Sequence, residues 1–253
     1  MSTVADSNYD LALRDLAQNG FCSFDEFFSG QETSELRAKL DWAISPPFPL
    51  GDAAYGMDRG SAQQGEKVPQ KIIDAALHDP FFMKLAHHPR ILDFVELALG
   101  PVIRLNTSTV WLKPPNIGAT MEAHQDAAHW KHIQPPRYLT VWIAVDESTL
   151  DNGCLHFKRG SHSHGIYPHS LLDNQYCISD PGVVGGESIA VPLPAGGCSF
   201  HLGTTVHWSG PNRTQDHRRG AAFTYFSGSS SVADWAEKQH PFPYVRGGPS
   251  APD

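Results

Sequence analysis

In the stretch Met121-Glu-Ala-His-Gln-Asp-Ala-Ala-His-Trp130, two side chains that can bind a metal, His124 and Asp126, stand two positions apart. Imidazole and carboxylate are ligands of iron and other divalent transition metals. On an extended segment, residues i and i+2 project to the same side, so both could face one ion. With 14 histidines in the chain, an H-x-D pair arises about once by chance. A metal site and a polar turn are therefore both open until a third ligand is found.

The candidate for the third ligand is His207, in the segment "TTVHWSGPNRTQDHRRG". Two histidines and one carboxylate occupy one face of an octahedral metal and leave three positions open, a set that suits Fe(II) with a co-substrate and dioxygen. If residues 207–218 form a strand, a turn and the start of the next strand of a β-barrel, Ser209 and Arg218 both point into the open end of that barrel. An arginine there can bind a carboxylate through two hydrogen bonds, and a serine adds a donor. This pattern predicts an iron site beside a binding site for a dicarboxylate keto acid.

The composition describes a soluble globular protein of 253 residues, with 40% hydrophobic and 18% charged residues. A net charge of −8 without a Lys/Arg run argues against a nucleic-acid partner, because phosphate binding needs a basic face. A small molecule is the expected partner. We see neither a signal peptide nor an apolar run long enough to span a membrane. Four widely spaced cysteines indicate buried thiols in a reducing cytoplasm rather than structural zinc.

The first 100 residues are predicted to be mainly helical. The segment "YDLALRDLAQNG" has apolar residues at helical spacing, namely Leu11, Leu13 and Leu16, and ends at an Asn-Gly stop signal. Ser29 can cap a second helix, whose buried face is predicted to be Leu36, Leu40 and Ala43. Two further helices are predicted in "DPFFMKLA" and in "PRILDFVELALG", which Pro89 begins and Gly100 ends.

From residue 101 the pattern changes to short strands. Alternating, β-branched segments separated by Gly and Pro are "VIRLNTSTVWLK", "RYLTVWIAV", "GCLHFKRGSH", "ESIAVPLP", "GGCSFHLGTTVH" and "GAAFTYFS". Many short strands after a helical third predict a mainly β fold, an antiparallel barrel or jelly roll with helices on its outside. We expect one domain over 1–253, with the jelly-roll core at about 101–230.

Three segments fall outside these elements. Residues 45–70 are rich in Pro and Gly, and residues 161–187 form a second long excursion. Loops of this length in a compact domain are commonly functional, so either segment could close over a site, or be a plain surface excursion. The C-terminal segment "FPYVRGGPSAPD" is predicted to be loosely attached.

The motifs together resemble the phytanoyl-coenzyme A dioxygenase family of Fe(II)- and 2-oxoglutarate-dependent oxygenases. The resemblance spans roughly residues 10–227. It is carried by H-Q-D at 124–126, W-x-A at 142–144, "DNGCL" at 151–155, "GSH" at 160–162 and "HWSGPNRTQDHRRG". It implies a double-stranded β-helix in which His124, Asp126 and His207 bind iron. It also implies that the enzyme consumes 2-oxoglutarate and dioxygen and releases succinate and carbon dioxide.

The resemblance extends to the residues around the co-substrate. Arg218 and Ser209 would hold the distal carboxylate of 2-oxoglutarate, and Trp142 stands where the family often has an aromatic beside it. Lys71, in "VPQKIID", matches a basic residue that some members use there. Halogenating relatives have a small residue at the carboxylate ligand, so Asp126 predicts oxidation without halide. Asn152-Gly153 and Asn212 are interpreted as turn residues.

Four aromatic residues near these motifs are candidates for the substrate pocket: His129, Trp130, Trp111 and Trp208. The expected reaction is hydroxylation, or another oxidation, of an aliphatic C–H bond in a small metabolite. Two alternatives stay open. One is a cupin-like lyase or isomerase that uses the metal without 2-oxoglutarate, for which an Arg218–Ser209 clamp would have no purpose. The other is a non-catalytic metal-binding sensor on the same fold.

Overall fold

The computed structural model describes residues 4–57, 68–116, 119–172, 175–185 and 187–248. The α-helices in these ranges are α1 (Val4–Asn19), α2 (Gly30–Ala43), α3 (Ala75–His78), α4 (Pro80–Ala86), α5 (Pro89–Leu99) and α6 (Asp234–Glu237). The strands up to residue 144 are β1 (Phe21–Phe24), β2 (Tyr55–Met57), β3 (Pro69–Ile72), β4 (Ile103–Lys113), β5 (Met121–His124), β6 (Ile133–Gln134) and β7 (Tyr138–Ala144). The later strands are β8 (Leu155–Lys158), β9 (His169–Leu172), β10 (Gln175–Ile178), β11 (Ser188–Val191), β12 (Cys198–Leu202), β13 (His207–Ser209), β14 (Arg218–Ser227), β15 (Ser231–Val232) and β16 (Tyr244–Arg246).

Two antiparallel sheets form the predicted jelly roll. The major sheet has the order β1-β12-β7-β14-β4-β3-β2, with β16 also paired to β4. The minor sheet has the order β11-β8-β13-β5. Side chains from both sheets meet in the hydrophobic cluster that contains Trp142, Leu155 and Phe157. The helices pack on the other face of the major sheet, as predicted.

Side chains alternate between the two faces of a strand, so the major sheet contributes residues both to the core under the helices and to the cavity between the sheets. On β14, Phe223 and Tyr225 belong to the core shared with the helices, whereas Arg218, Ala222 and Thr224 line the cavity between the sheets. Because both faces are covered, nearly every residue of this strand is buried. The sheet therefore gives a rigid platform from which polar side chains project into the interior.

The first helix lies where it was predicted, but its three leucines do not share one face. Leu16 is buried, whereas Leu11 is 61% exposed. Residues two apart on a helix are separated by about 200° around the axis, so Leu11 and Leu13 cannot share one face. Ala12 is the buried residue one turn before Leu16, and Tyr9 and Leu13 pack beside them.

The second helix begins as predicted. The Ser29 side chain accepts a hydrogen bond from the Glu32 backbone N–H (3.2 Å), and the Glu32 carboxylate accepts one from the Ser29 N–H (2.8 Å). This reciprocal capping box satisfies two amide groups at the helix start. The predicted apolar face is buried in the core: Leu36, Leu40 and Ala43.

The C-terminal segment was predicted to be loosely attached, but residues 242–248, the part of it that the structure describes, pack against the domain. Strand β16 pairs with β4, and Val245 is buried. Arg246 forms ion pairs with Asp93 (2.9 Å) and Glu96 (2.7 Å) of α5. The prediction failed because a three-residue strand carries too short a pattern to be recognised.

The two long excursions contribute short strands. Within 45–70, β2 and β3 extend the major sheet, while residues 58–67 lie outside the described part of the chain. Within 161–187, β9 and β10 form a hairpin beside the minor sheet. The Gln175 side chain bridges it to β5, accepting from the Glu122 N–H (3.0 Å) and donating to the Thr120 carbonyl (3.0 Å). Whether either excursion moves as a lid stays a prediction.

No helix in the described ranges is long and apolar enough to cross a membrane.

Candidate active site

His124, Asp126 and His207 lie together between the two sheets. His124 ends β5, His207 begins β13, and the two are paired in the strand register. Asp126 lies two residues beyond the end of β5, in a short 3-10 turn over Asp126–Ala128. Its Oδ1 atom is 3.7 Å from Nε2 of each histidine, and all three ligand atoms lie within 4.8 Å of one another. This separation is suited to one shared ion.

Backbone carbonyls orient both imidazoles. Nδ1–H of His124 donates to the Glu122 carbonyl (2.8 Å), and Nδ1–H of His207 donates to the Thr205 carbonyl (3.0 Å). These bonds leave the Nε2 lone pairs directed at the shared position, as metal-binding histidines require. Burial, with the nearby rings of His124 and His201, lowers the pKa of His207 well below its ordinary value. His207 is therefore a neutral imidazole that can donate its lone pair.

Asp126 is held by two partners that the sequence did not reveal. Its Oδ2 atom accepts hydrogen bonds from the Thr140 hydroxyl (2.7 Å) and from Nε2 of His201 (3.2 Å), which leaves Oδ1 for the shared position. Burial alone would raise the pKa of the Asp126 carboxyl, but the imidazoles of His207 and His201 lower it below its ordinary value. The carboxylate is thus an oriented anion.

We expect these two partners to set metal affinity. Thr140→Val and His201→Phe each remove one hydrogen bond to Asp126 while nearly keeping side-chain volume. Fe(II) affinity, measured by anaerobic calorimetry, should fall about 10–100-fold, the usual cost of losing an orienting partner. Ser199→Ala is the control, because Ser199 is buried on the same strand as His201 and its hydroxyl has no partner in the described structure. Unchanged affinity in both test variants would show that Asp126 needs no such support.

Arg218 lies in the same cavity and has no carboxylate partner among the described residues. It is 1% exposed, its Nη2 donates to the Gly153 carbonyl (2.5 Å), and its Nε has no acceptor in the described structure. The guanidinium carbon is 5.0 Å from the centroid of the Trp142 ring. Burial lowers the pKa of Arg218 to about 10, so it stays a cation at neutral pH. A buried cation with a free donor fits a carboxylate ligand.

The neighbouring Arg219 faces the opposite side of the sheet. Its Nε donates to Asp146 (2.7 Å), and its Nη1 pairs with Asp41 of α2. The alternation of β14 therefore separates an interior arginine from one that ties the sheet to a helix.

The remaining residues predicted for the co-substrate line the same cavity. Ser209 is buried on β13. Gly220 makes room for the Trp142 indole, since a Cβ atom there would lie 2.2 Å from it. Lys71 lies further away, on β3, which β4 separates from β14. Its ammonium is 5.5 Å from the Trp111 ring centroid. Lys113, which sequence reasoning passed over, is the lysine paired with Arg218 in the strand register.

Aromatic side chains also line the cavity and are called here the aromatic wall. The cavity has a volume of about 490 Å³, and all four predicted pocket residues line it: His129, Trp130, Trp111 and Trp208. Tyr176, from the β9–β10 hairpin, joins them with its ring 5.2 Å from that of His129. Burial, with the nearby His124, lowers the pKa of His129, which favours a neutral ring. The sequence marked the 161–187 excursion as a segment that could close over a site, but nothing in its pattern singled out Tyr176.

Solved structures share this architecture. The epimerase SnoN from nogalamycin biosynthesis, in complex with Fe3+, alpha-ketoglutarate and nogalamycin RO, matches with a TM-score of 0.74 and 24% identity, over 90% of this chain and 86% of that chain. The carbocyclase SnoK matches with a TM-score of 0.76 and 20% identity, over 98% and 97%. These likenesses establish the double-stranded β-helix.

Curated relatives add chemistry to the fold. A probable alpha-ketoglutarate-dependent hypophosphite dioxygenase from Stutzerimonas stutzeri is 27% identical over 81% of this chain and 74% of its own length. A methylphosphonate hydroxylase from Gimesia maris is 28% identical over 96% and 90%. With the fold and the His124–Asp126–His207 group, they define the class: this is a dioxygenase that depends on non-haem iron and on 2-oxoglutarate (alpha-ketoglutarate).

The family follows from the sequence match. The family model described as "Phytanoyl-CoA dioxygenase (PhyH)" matches residues 16–220. The chain belongs to the phytanoyl-CoA dioxygenase family.

Proposed function

We propose that this protein hydroxylates an aliphatic C–H bond of a small metabolite, in natural-product or secondary metabolism. The observation that carries the proposal is that three groups of side chains line one cavity. They are a buried arginine without a carboxylate partner among the described residues, the His124–Asp126–His207 group, and the aromatic wall.

In this proposal each part has one task. His124, Asp126 and His207 would hold Fe(II) on one face and leave three positions open. Arg218 and Ser209 would bind the distal carboxylate of 2-oxoglutarate, and Trp142 would cover it. When bound, iron and 2-oxoglutarate supply the oxidising chemistry and release succinate and carbon dioxide. The protein orients the reactants and excludes water from the buried face of the cavity.

The aromatic wall supports a compact substrate with an apolar surface. Trp111, Trp130 and Tyr176 can pack against carbon, while His129 can accept or donate one hydrogen bond. Two relatives are named for reactions of hypophosphite and methylphosphonate, which are also small molecules. Because Asp126 supplies the carboxylate ligand, we propose oxygen transfer rather than halogenation.

The buried Arg218 weighs against a lyase or isomerase that works without 2-oxoglutarate, since such an enzyme would have no anion to offset this cation. The four cysteines are free and buried, which supports a reducing compartment such as the cytoplasm. We further propose that residues 1–253 act as one domain.

Two measurements test the proposal. Anaerobic addition of Fe(II) and 2-oxoglutarate should give the weak visible absorption of their joint complex with the protein. Candidate metabolites are then screened under air for those that stimulate succinate release, with the product identified by mass spectrometry. A substrate whose product gains one oxygen atom supports hydroxylation. Stimulated succinate release with a desaturated, cyclised or epimerised product would contradict it.

A further inference from the structure

Lys113 is a second cation buried beside Arg218. It ends β4, is paired with Arg218 across the β4–β14 register, and is only 6% exposed. Both side chains line the cavity. No carboxylate of the described residues lies within ion-pair distance of either one. Two buried like charges are costly unless an anion lies between them.

The ammonium group of Lys113 also connects the two sheets. It donates to the Gly210 carbonyl (2.6 Å) and to the Ala119 carbonyl. Gly210 directly follows Ser209 at the end of β13, and Ala119 precedes β5. Lys113 therefore reaches from the major sheet to both strands that carry the metal-binding histidines. An ammonium has three N–H donors, so one is left for a ligand.

The groups that face Lys113 come from β14 and from the segments before β5 and after β13. Arg218 approaches from β14, and the segments before β5 and after β13 present uncharged carbonyls. Cys154, a buried thiol, lies next to Arg218. Burial, together with the Arg218 guanidinium, lowers the pKa of Lys113 to about 7. Near neutral pH the lysine is thus partly deprotonated until an anion arrives.

We propose that Lys113 is a positioning residue of the 2-oxoglutarate binding site. It binds the distal carboxylate of 2-oxoglutarate jointly with Arg218, and it also holds β5 and β13 in place. The inference rests on the proposed 2-oxoglutarate binding site at Arg218. An anion beside Lys113 favours the ammonium form, so binding at a pH above 7 must be accompanied by proton uptake. Below pH 7 the ammonium form already predominates, and uptake should vanish.

The test is calorimetric titration of the Fe(II)-loaded enzyme with 2-oxoglutarate, under anaerobic conditions. Each titration is run at pH 6 and pH 8, in two buffers of different ionisation enthalpy, so that protons are counted. Wild type should take up close to one proton per site at pH 8 and almost none at pH 6. Lys113→Met should lose the uptake and raise the Kd at pH 6 about 10–100-fold, as expected for a lost hydrogen bond to a charged group.

Lys113→Arg keeps the test decisive if the methionine variant does not fold. Arginine stays charged at pH 8, so this variant should bind 2-oxoglutarate with nearly wild-type affinity at both pH values and take up no proton. Wild-type uptake in Lys113→Arg, or wild-type affinity and uptake in Lys113→Met, would overturn the proposal.

Two other variants make the result specific. Lys158 is a matched control, because its ammonium also donates to two loop carbonyls, Val183 and Gly185, but away from Arg218. Lys158→Met should behave as wild type, and loss of uptake there would contradict the assignment to Lys113. Arg218→Met separates the two proposals. If Arg218→Met loses 2-oxoglutarate binding while the Lys113 variants match wild type, only the proposed role of Lys113 is wrong. If Arg218→Met binds 2-oxoglutarate normally, the assignment of the 2-oxoglutarate binding site to Arg218 is wrong.

Discussion

Asp126→Ala is expected to weaken iron binding more than about 100-fold and with it to suppress succinate formation. The carboxylate supplies one of three ligands and the negative charge of the group, and its Oδ1 lies 3.7 Å from both histidine Nε2 atoms. Because loss of a mere orienting partner costs about 10–100-fold in metal affinity, loss of the ligand itself should exceed 100-fold. Anaerobic calorimetry with Fe(II) and succinate assays under air measure the two effects.

The folded state should survive this change. The change leaves the Thr140 hydroxyl and Nε2 of His201 without the carboxylate that accepts from both, at a cost of about 1–3 kcal/mol for each donor left unpaired. We therefore expect a lower melting temperature than that of the wild type, in a protein that is still folded at the temperature of the assay. Glu122→Gln is the control, since Glu122 offers His124 only its backbone carbonyl and should keep full iron affinity. Wild-type iron stoichiometry in Asp126→Ala would show that the metal is bound elsewhere.

The parts of the fold that sequence reasoning predicted are those with long patterns. Strands β4, β7 and β14 have between 7 and 11 residues rich in β-branched and aromatic side chains, enough to be recognised. Strands β1, β2, β3 and β16 have 3 or 4 residues and were missed. Their pairing depends on distant partners, which no local pattern encodes.

The candidate site divides in the same way. His124, Asp126 and His207 were predicted because metal ligands are few in kind and their spacing is informative. Thr140 and His201 were not, because β7 and β12 are buried on both faces, and nothing in "YLTVWIA" or "CSFHL" distinguishes a side chain that faces the cavity from one that faces the helices. Lys113 precedes Pro114-Pro115, and a lysine in front of two prolines is typical of an exposed strand end. Its burial follows only from the way the two sheets enclose it.

Arg218→Met should weaken 2-oxoglutarate binding at least about 30-fold, because loss of one member of a buried charge pair costs roughly 2–5 kcal/mol. The guanidinium is fully buried and retains an unpaired donor for a ligand. Iron affinity should stay near the wild-type value, since Arg218 touches none of the three ligands in the described structure. Arg218→Lys should recover part of the affinity, because it keeps the charge but not the two-pronged geometry.

Arg219→Met provides the matched control for the last prediction. Arg219 is the next residue in the chain and is also mostly buried, but it faces the helices and pairs with Asp146 and Asp41. Its loss leaves Asp146 with only the half-exposed Arg37 as a cationic partner, so the melting temperature should fall while the Kd for 2-oxoglutarate stays unchanged. The strand alternation of β14 thus predicts opposite phenotypes for adjacent arginines. If Arg219→Met weakened 2-oxoglutarate binding as much as Arg218→Met, the separation of the two faces would be wrong, and the 2-oxoglutarate binding site could not be assigned to Arg218.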